Sequence, residues 1–550
     1  MFRADFASIP PIYYTYSTIN IINNNYSYVN IGANNANSVH GKSKIRKEFT
    51  IVPATATSKY KLQCNWCAEP PKSDNITKHQ EPHLRECEAY KKAQNKLKGK
   101  AQQALPFKPV ALSSDELFSH AVYTSTANFS LFDTPEWSTF FKRLNYTPPS
   151  RFQLAGPLLD SCYERIKPEV QAIADAATHI QIVSDGSDNI NKRKVENVSF
   201  LVDGISYYWA STAIGAIKAG AIWTAANVKK HALAITNSNL KRFTAFSTDT
   251  DSTQRATWNL FKDDPELSHV HSVPCDSHGC QLIFKDILKP GVDANKVPIH
   301  TEIGQFFTEG PNAVVTAFSK ASKQLAYLRN YMVKSIRKVV ALIATVPTRW
   351  GTQVSQCASL LKCEIPLKAY AELSHPDVKL SVKDDLKSDI WWQKLHATHL
   401  ILQPIHERQK MSESNRSFLY KVYPRWIELS AHIDKFAEEG NPFWKDILAY
   451  KNRKGLGGWD DRKSKQVLPI HILAYLLLPE NRNAVIPIIQ IKEVEEYLIK
   501  RLDTDAYRHW VQYLNQQGPF SIANPVWKQF GSDPTSFWNM MVCILPYSNK

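Results

Sequence analysis

Four cysteine and histidine residues near the N-terminal end of the chain have the side-chain types and spacing that bind zinc. Cys64 and Cys67 form a Cys-x2-Cys pattern, and His83 and Cys87 form a His-x3-Cys pattern after fifteen intervening residues. A structural zinc ion takes four tetrahedral thiolate and imidazole ligands. A two-residue spacer lets a tight turn aim both thiolates at one point, and a three-residue spacer places His83 and Cys87 one turn apart on a helix. The pattern predicts a zinc site, against the alternative of free thiols grouped by chance; His79 is a competing third ligand whose longer spacing to Cys87 fits worse.

The segment around this predicted site is strongly basic. From Gly41 to Lys100 the chain has fourteen Lys or Arg and six Asp or Glu residues, so half of the net charge of +16 falls there. A charge run by itself is typical of a solvated surface, which is the alternative interpretation. Its overlap with the predicted zinc site instead favours a polyanion as partner, and nucleic acid is the first candidate.

Two aspartates in the middle of the chain each follow an apolar segment. Asp185 follows Ile180 to Ser184, and Asp249 follows Phe243 to Thr248. Carboxylates at adjoining strand ends can hold a pair of Mg²⁺ ions that activate an attacking oxygen and stabilise a leaving one. The alternative is that each aspartate caps a turn, where Asp is common.

The elements that must position these aspartates follow a definite order. A two-residue hairpin is predicted at Asp203-Gly204. The order strand, strand, strand, helix, strand, helix, strand, helix indicates an α/β fold of the ribonuclease-H-like type, and the chain after Trp350 is predicted to be mostly helical. The strands are predicted at 180–184, 198–202, 205–209, 243–248 and 269–274, and the helices at 225–240, 252–261, 278–288, 353–373, 389–402 and 415–438.

Composition limits the class of protein. A chain of 550 residues predicts several domains. With 43% hydrophobic and 21% charged residues, the chain is not wholly disordered. Nine cysteines are too few for a secreted disulfide scaffold, the N-terminal residues do not form a signal peptide, and no apolar run reaches the ~18 residues of a membrane span. We expect an intracellular protein without a membrane partner.

The predicted organisation is that of a multidomain α/β protein with a small zinc finger. A tail rich in Asn has too few apolar residues to fold and is expected to be disordered. Several prolines mark a linker after the finger. The predicted segments are the tail at 1–55, the finger at 56–103, the linker at 104–150, the ribonuclease-H-like core at 151–350, and a helical insertion with an incomplete return to the core at 351–550.

The cysteine and histidine pattern, with Trp66 and Leu84, resembles the BED-type zinc finger at the head of hAT-superfamily transposases. That resemblance implies a ββα finger that binds DNA, with Cys64, Cys67, His83 and Cys87 as zinc ligands. It also implies phosphate contacts from a run of lysines that extends the finger's helix, and such contacts position DNA without reading its sequence. These lysines are Lys91, Lys92, Lys96, Lys98 and Lys100.

Further blocks in the middle of the chain resemble those of fungal and oomycete hAT-like proteins with a ribonuclease-H-like core. They are Val183-Ser184-Asp185-Gly186, Ser247-Thr248-Asp249, the block from Val273 to Gly279, and Thr348-Arg349-Trp350-Gly351. The resemblance implies that Asp185 and Asp249 are the first two catalytic acids of a two-metal DNA transposase, with Mg²⁺ as a cofactor, and that Arg349 and Trp350 contact DNA. Cys275 and His278 match a Cys-x2-His block, but two such residues alone are more often core packing than a metal site.

The sequence departs from this family at points that bear on activity. Ser187 stands where many members have Trp after the Asp-Gly pair, and neither a third acid in a Ser-Glu-Arg-like setting nor the hydrophobic dimerising segment is found. The expectation is a chain truncated at its C-terminus and impaired in catalysis. The alternatives are a non-enzymatic DNA-binding regulator derived from a transposase and an unrelated basic α/β protein. The run from Lys42 to Lys47 is a candidate nuclear-import signal, so a nuclear location is expected, and homo-oligomer formation is left open.

Overall fold

A computed structural model describes residues 13–14, 49–52, 61–64, 67, 72–73, 81–91 and 112–544, the last range with gaps at 126, 189–190, 216–218, 293–296, 347–350, 374–379, 415–416, 456 and 532. The chain divides into two compact units: one is Tyr28–Arg165, and the other combines Met1–Ser27 with Ile166–Lys550. The protein is a mixed α/β protein in which helices predominate and one five-stranded sheet is present.

The strands of the described residues belong to three sheets. A two-stranded sheet pairs β1 with β10, a three-stranded sheet has the order β2-β3-β4, and a five-stranded sheet has the order β7-β6-β5-β8-β9. The strands are β1 Tyr13–Tyr14, β2 Phe49–Val52, β3 Lys61–Cys64, β4 Lys72–Ser73, β5 Ile180–Asp188, β6 Lys194–Val202, β7 Ile205–Ala213, β8 Phe243–Thr248, β9 His271–Pro274 and β10 Ser417–Phe418.

The helices fall into three groups along the chain. The first group precedes the five-stranded sheet: α1 Glu81–Glu86, α2 Ser114–Thr124, α3 Pro135–Arg143, α4 Arg151–Ala155 and α5 Pro157–Ala176. The second lies among and just after its strands: α6 Ala221–Ile235, α7 Ser252–Asp263, α8 Asp276–Leu288, α9 Glu302–Glu309, α10 Pro311–Ser319 and α11 Ser322–Ile336. The third follows: α12 Thr352–Lys362, α13 Glu364–Ala371, α14 Leu380–Lys387, α15 Asp389–Ser412, α16 Val422–Phe436, α17 Trp444–Asn452, α18 Trp459–Gln466, α19 Pro469–Leu476, α20 Ile488–Ile499, α21 Thr504–Leu514, α22 Pro525–Phe530 and α23 Pro534–Ile544.

The segment predicted as a linker differs from that expectation where the structure describes it. Residues 114–143 form α2, a 3-10 turn and α3, and the Ser113 side chain completes a capping box with Glu116 at the start of α2. Phe118 lies in the middle of an aromatic cluster, with ring-centroid distances of 4.9 Å to Phe132 and 5.5 Å to Phe141. Pro135 therefore begins helix α3, a position that tolerates its missing N–H, instead of marking an unstructured connection.

The five-stranded sheet is mixed. Strands β5, β6 and β7 are antiparallel neighbours, whereas β8 runs parallel to β5 and β9 runs parallel to β8. The hairpin predicted at Asp203-Gly204 is confirmed: Val202 pairs with Ile205, and the two turn residues have φ angles of 50° and 78°. Two positive φ values in succession are what a type I′ turn requires.

Helices cover both faces of this sheet. On one face Ile182, Phe200 and Phe246 pack in a cluster with side chains from α6 and α7. On the other face Ala245 and Val273 belong to a larger cluster that includes α8 and most of the helices after it. The parallel strand β8 is buried on both sides, as expected for such a strand, whereas β7 leaves Ile205 and Tyr208 exposed.

The last helices of the chain form a third hydrophobic cluster that is rich in aromatic residues, among them Trp510, Tyr513 and Phe537. The prediction that the chain after Trp350 is mainly helical is confirmed for its described residues. Among the described residues, no helix is long and apolar enough to cross a membrane.

Candidate metal centre and carboxylate site

The four predicted zinc ligands come together at the end of the small three-stranded sheet. Cys64 is the last residue of β3, which pairs antiparallel with β2 on one side and β4 on the other. His83 lies in α1, and the backbone N–H of Cys87 donates to the His83 carbonyl at 2.8 Å. This backbone bond keeps His83 and Cys87 one helical turn apart, as their spacing predicts. Strand β2 begins at Phe49, so the sheet starts before the predicted finger boundary at residue 56.

The geometry of the cluster suits a single tetrahedral ion. The ligand atoms of Cys64, Cys67, His83 and Cys87 all lie within 4.8 Å of one another, and Cys67 Sγ is 3.4 Å from His83 Nε2. Bonds of about 2.3 Å to sulfur and 2.0–2.1 Å to nitrogen separate tetrahedral ligands by roughly 3.5–3.8 Å. Cys64 and Cys87 are buried with Leu84 in a small cluster of their own. The site could therefore hold one metal ion shielded from water.

Few of the predicted DNA contacts fall within the described residues. Lys91 is exposed, and its Nζ lies 3.3 Å from Glu88 Oε1. Such an exposed pair contributes little free energy, so Lys91 can exchange Glu88 for another anion. The other predicted contacts lie outside the described residues: Lys92, Lys96, Lys98, Lys100, Arg349 and Trp350. Trp66, His79 and most of the predicted tail also lie outside the described residues.

The two predicted catalytic aspartates lie on adjacent parallel strands. Asp249 directly follows β8, as predicted, whereas β5 is longer than expected and Asp185 lies within it, paired with Asn197 of β6. Val183 of β5 is level with Ser247 of β8, so the next same-facing positions along the two strands are those of Asp185 and Asp249. Neighbouring strands are about 4.8 Å apart. The structure therefore brings the two carboxylates to one edge of the sheet.

His278 adds a third titratable group next to Asp249. His278 is in the first turn of α8, and its Nδ1 lies 3.3 Å from Asp249 Oδ2. Burial, with a smaller contribution from the neighbouring Asp251, raises the pKa of Asp249 to about 7. Burial and then the positive charge of Arg462 lower the pKa of His278 to about 4. Near neutral pH His278 is therefore neutral and Asp249 partly protonated, so the contact between them is not a fully charged ion pair. His278 is thus not simple core packing, although the neighbouring Cys275 is buried and its thiol has a strongly raised pKa.

A buried ionic network anchors the start of α8. Asp276 accepts hydrogen bonds from Arg425 Nη1, from Ser412 Oγ at 2.6 Å and from Trp426 Nε1 at 2.6 Å. Ser277 Oγ donates to Glu413 Oε1 at 3.1 Å. Both residues that precede His278 are therefore held by α15, α16 and the turn between them.

Helix α18 holds α8 at two further points on one of its faces. Arg462 makes a bidentate ion pair with Asp286, at 2.8 Å through Nε and 3.1 Å through Nη2. One turn later Gln466 lies against Gly279, where an added Cβ would be 2.5 Å from the Gln466 side chain, and Gln466 Nε2 donates to Thr250 Oγ1 at 3.2 Å. Gln466 thereby connects Thr250, which follows Asp249, with Gly279, which follows His278.

A buried glutamate near this edge was missed by the sequence reasoning. Glu196 of β6 accepts from Ser184 Oγ at 2.6 Å and from Asn227 Nδ2 of α6 at 2.9 Å, and burial raises its pKa. The available signal was weak, because β6 also contains the polar residues Lys194, Asn197 and Ser199. Both carboxylate oxygens have partners within the core, so we interpret Glu196 as a fixed element of the β6–α6 interface.

A Glu-Arg pair, Glu407-Arg408, lies inside helix α15. Arg408 of α15 pairs with Glu428 of α16 at 2.7 Å and with its neighbour Glu407 at 3.7 Å. This pair stabilises the contact between two helices.

No protein-family model matches this chain, and no curated protein matches it with significance.

Proposed function

We propose that this protein binds DNA through a zinc-stabilised finger formed by Cys64, Cys67, His83 and Cys87. The observation that carries the proposal is the convergence of these four side chains, with ligand atoms within 4.8 Å, at the junction of a small sheet and a helix. Three thiolates and one imidazole form a donor set typical of structural zinc. A finger of this size has little core of its own, so the metal would supply much of its folding free energy.

The charge around the site supports DNA as the partner. The segment from Gly41 to Lys100 has a net charge of +8, which is half of the chain's excess. Lysines attract phosphates without reading bases, so this part of the proposal concerns affinity more than sequence specificity. A nuclear location follows from the same proposal.

Metal analysis combined with a DNA-binding assay tests this function. We expect one zinc per chain in the purified protein, loss of that zinc in Cys64→Ser, and loss of most duplex binding in the same variant. Cys162→Ser is the matched control, because Cys162 lies in the same unit but outside the cluster. Retention of full duplex affinity in a zinc-free Cys64→Ser protein would contradict the proposal.

We also propose that the second unit has a ribonuclease-H-like body related to that of hAT transposases. In support, the sheet order β7-β6-β5-β8-β9 has three antiparallel strands followed by two parallel ones. Helices follow β7, β8 and β9 in turn, which is the predicted order of elements. Asp185 and Asp249 at adjacent positions of this sheet agree with the placement of the first two acids in that family.

This body is proposed to be impaired in DNA strand transfer. Two-metal catalysis needs carboxylates that can give their oxygens to ions. The other described acids around the pair have other partners: Asp251 caps α7 by accepting from the Gln254 backbone, and Asp276 is held by Arg425. Two aspartates are a sparse ligand set for a pair of Mg²⁺ ions, which prefer octahedral oxygen coordination.

Incubation with Mg²⁺ or Mn²⁺ and a matching transposon end tests this second proposal. We expect no strand transfer above background. Cleavage that is abolished by Asp185→Ala and retained in Asp188→Ala, an exposed position further along β5, would contradict it. The remaining alternative is a DNA-binding regulator that never uses its aspartates; it predicts full function in a reporter assay with Asp185→Ala and loss of function with Cys64→Ser.

A further inference from the structure

An open cleft of about 1420 Å³ is lined only by residues of the second unit, which combines Met1–Ser27 with Ile166–Lys550. Its walls are α7 with the start of β9 on one side, and α18, the start of α19 and α20 on the other. Pockets for small molecules measure about 300–1,000 Å³, so this cleft is large enough for a segment of a chain molecule. Ser252, one of the lining residues, is the first residue of α7 and comes three residues after Asp249 in the chain.

One wall presents two exposed cations, Arg255 and Lys262, on the same helical face. Arg255, Asn259 and Lys262 have helical spacing i, i+4 and i+7, so they share one face of α7, and all three are exposed. Arg255 makes no ion pair with any described residue, and Lys262 Nζ is 3.4 Å from Asn259 Oδ1, a neutral partner. The two charges are about 10 Å apart along the helix axis. Two exposed cations on one helical face at this spacing suit a ligand with repeated negative charges.

The opposite wall adds both donors and acceptors. Lys500 and Arg501 lie just after the C-terminal end of α20, where a helix favours cations, and Arg501 stacks on the Tyr497 ring with its guanidinium carbon 4.1 Å from the ring centroid. Glu493 and Glu496 line the same wall one turn apart, and both are exposed. A ligand that offered only negative charge would be repelled by these two carboxylates.

We infer that this cleft binds single-stranded nucleic acid, with the phosphates along Arg255 and Lys262 and the base edges facing Glu493 and Glu496. Nucleic acid has both components that the walls require: anionic phosphates and exocyclic amines that donate to carboxylates. Only unpaired bases expose those amines on their pairing edges. An acidic peptide has the negative charges, but its regular donors are backbone N–H groups, which lie between its side chains instead of on a separate edge of the chain. This inference does not depend on DNA binding by the zinc finger, because the two sites lie in different units.

The first test measures charge contacts in a full-length background of Cys64→Ser/Cys67→Ser, so that the finger cannot contribute. The probe is a fluorescently labelled mixed-sequence 20-nucleotide DNA strand, followed by anisotropy as a function of salt. We expect Arg255→Glu/Lys262→Glu to weaken binding at least tenfold and to reduce the log–log salt slope by about 1.4, because each phosphate contact on a single strand contributes about 0.7. The control is Lys289→Glu/Lys320→Glu, which makes the same charge change at exposed positions outside the cleft.

The second test measures contact with bases. We expect the protein to bind oligo-dC more tightly than oligo-dT, because thymine has no exocyclic amine. Glu493→Gln/Glu496→Gln should abolish that preference while raising affinity for both strands, since it removes two negative charges. Glu438→Gln/Glu439→Gln, at exposed positions outside the cleft, should keep the preference.

Three results would overturn the inference. One is equal affinity of the Arg255→Glu/Lys262→Glu variant and its charge-matched control. Another is tighter binding of duplex than of single strand in the finger-deficient background. The third is displacement of the labelled strand by a poly-glutamate peptide as effectively as by unlabelled DNA, which would identify the cleft as a peptide site. Loss of duplex binding on Cys64→Ser alone concerns the finger and leaves the cleft unaffected.

Discussion

The imidazole Nδ1 of His278 lies 3.3 Å from the carboxylate Oδ2 of Asp249, so the first turn of a helix reaches back to the end of the central parallel strand. The contact is supported from both ends: the Cys275 backbone N–H donates to the Thr248 carbonyl at 2.8 Å, and Gln466 joins Thr250 to the helix. This arrangement places two partly buried titratable groups with displaced pKa values at the C-terminal end of strand β8.

Asp249→Asn is expected to change how stability depends on pH. Burial raises the pKa of Asp249 from its ordinary value to about 7, so its ionisation opposes folding. The stability that protonated Asp249 contributes is fully present below about pH 4 and is lost as the pH rises through 7. Asp249→Asn should therefore match the wild type near pH 4 and be more stable at pH 8, measured by urea unfolding across that range.

The matched control for this measurement is Asp263→Asn, at an exposed position of the adjacent helix α7. It should leave the pH profile unchanged. His278 acts in the opposite direction, because its pKa is lowered to about 4 and its contribution is lost as the pH falls from about 6.5. A wild-type profile that rises between pH 5 and pH 8, and that Asp249→Asn leaves unaltered, would show that the carboxylate is ordinarily ionised.

Removal of one partner of the buried pair Asp276 and Arg425 should lower the free energy of unfolding strongly, whereas replacement of both by apolar residues should lower it much less. Asp276→Ala leaves the Arg425 charge and the Trp426 N–H without their acceptor in a buried site, so we expect a loss of about 3–5 kcal/mol in the free energy of unfolding. The double variant Asp276→Leu/Arg425→Met removes both charges and should recover much of that loss. A double variant as unstable as the single one would show that the three hydrogen bonds to Asp276, and not its charge, hold helix α8.

Gly279 and Gln466 should show strong coupling in a double-mutant cycle. An added Cβ at position 279 would lie 2.5 Å from the Gln466 Cδ, so Gly279→Ala should cost about 1–3 kcal/mol in thermal or urea unfolding. Gln466→Ala removes the obstructing atoms, and Gly279→Ala should then be nearly neutral in that background. Gly291→Ala is the control, since nothing lies within 4 Å of its added Cβ. Additive effects at positions 279 and 466 would contradict the contact.

Zinc binding at the cysteine cluster should be lost on acidification. Thiolate and imidazole ligands must be free of protons to bind the ion, so lowering the pH should release zinc cooperatively, as followed with a chromogenic chelator. Cys87→Ser, which removes one of the buried ligands, should release its zinc at a higher pH than the wild type. Cys162→Ser should release zinc at the same pH as the wild type. If Cys87→Ser and Cys162→Ser raised the pH of zinc release equally, zinc would not be bound by this cluster.

The parts of this molecule that the sequence alone determined are those encoded by short spacings. The Cys-x2-Cys and His-x3-Cys patterns place four ligands through one turn and one helical step, and they come together as predicted. Asp203-Gly204 makes its hairpin because those two residues accept positive φ angles. Asp249 directly follows a buried strand in the structure as in the prediction. Each of these features depends on residues close together in the chain and on local backbone geometry.

Only the tertiary structure decided which distant residues meet. Arg425 reaches Asp276, and Gln466 reaches Thr250, because helices α16 and α18 pack against α8 and the sheet through a large shared core. The cleft likewise requires α7 and α20 to face each other across more than two hundred residues of chain. No local pattern records such contacts, since a helix shows in its sequence which face is apolar but not which partner covers that face. The chain's positive charge and its excess between Gly41 and Lys100 were therefore readable from the sequence, whereas the placement of Arg255 and Lys262 along one wall of a cleft was decided by packing.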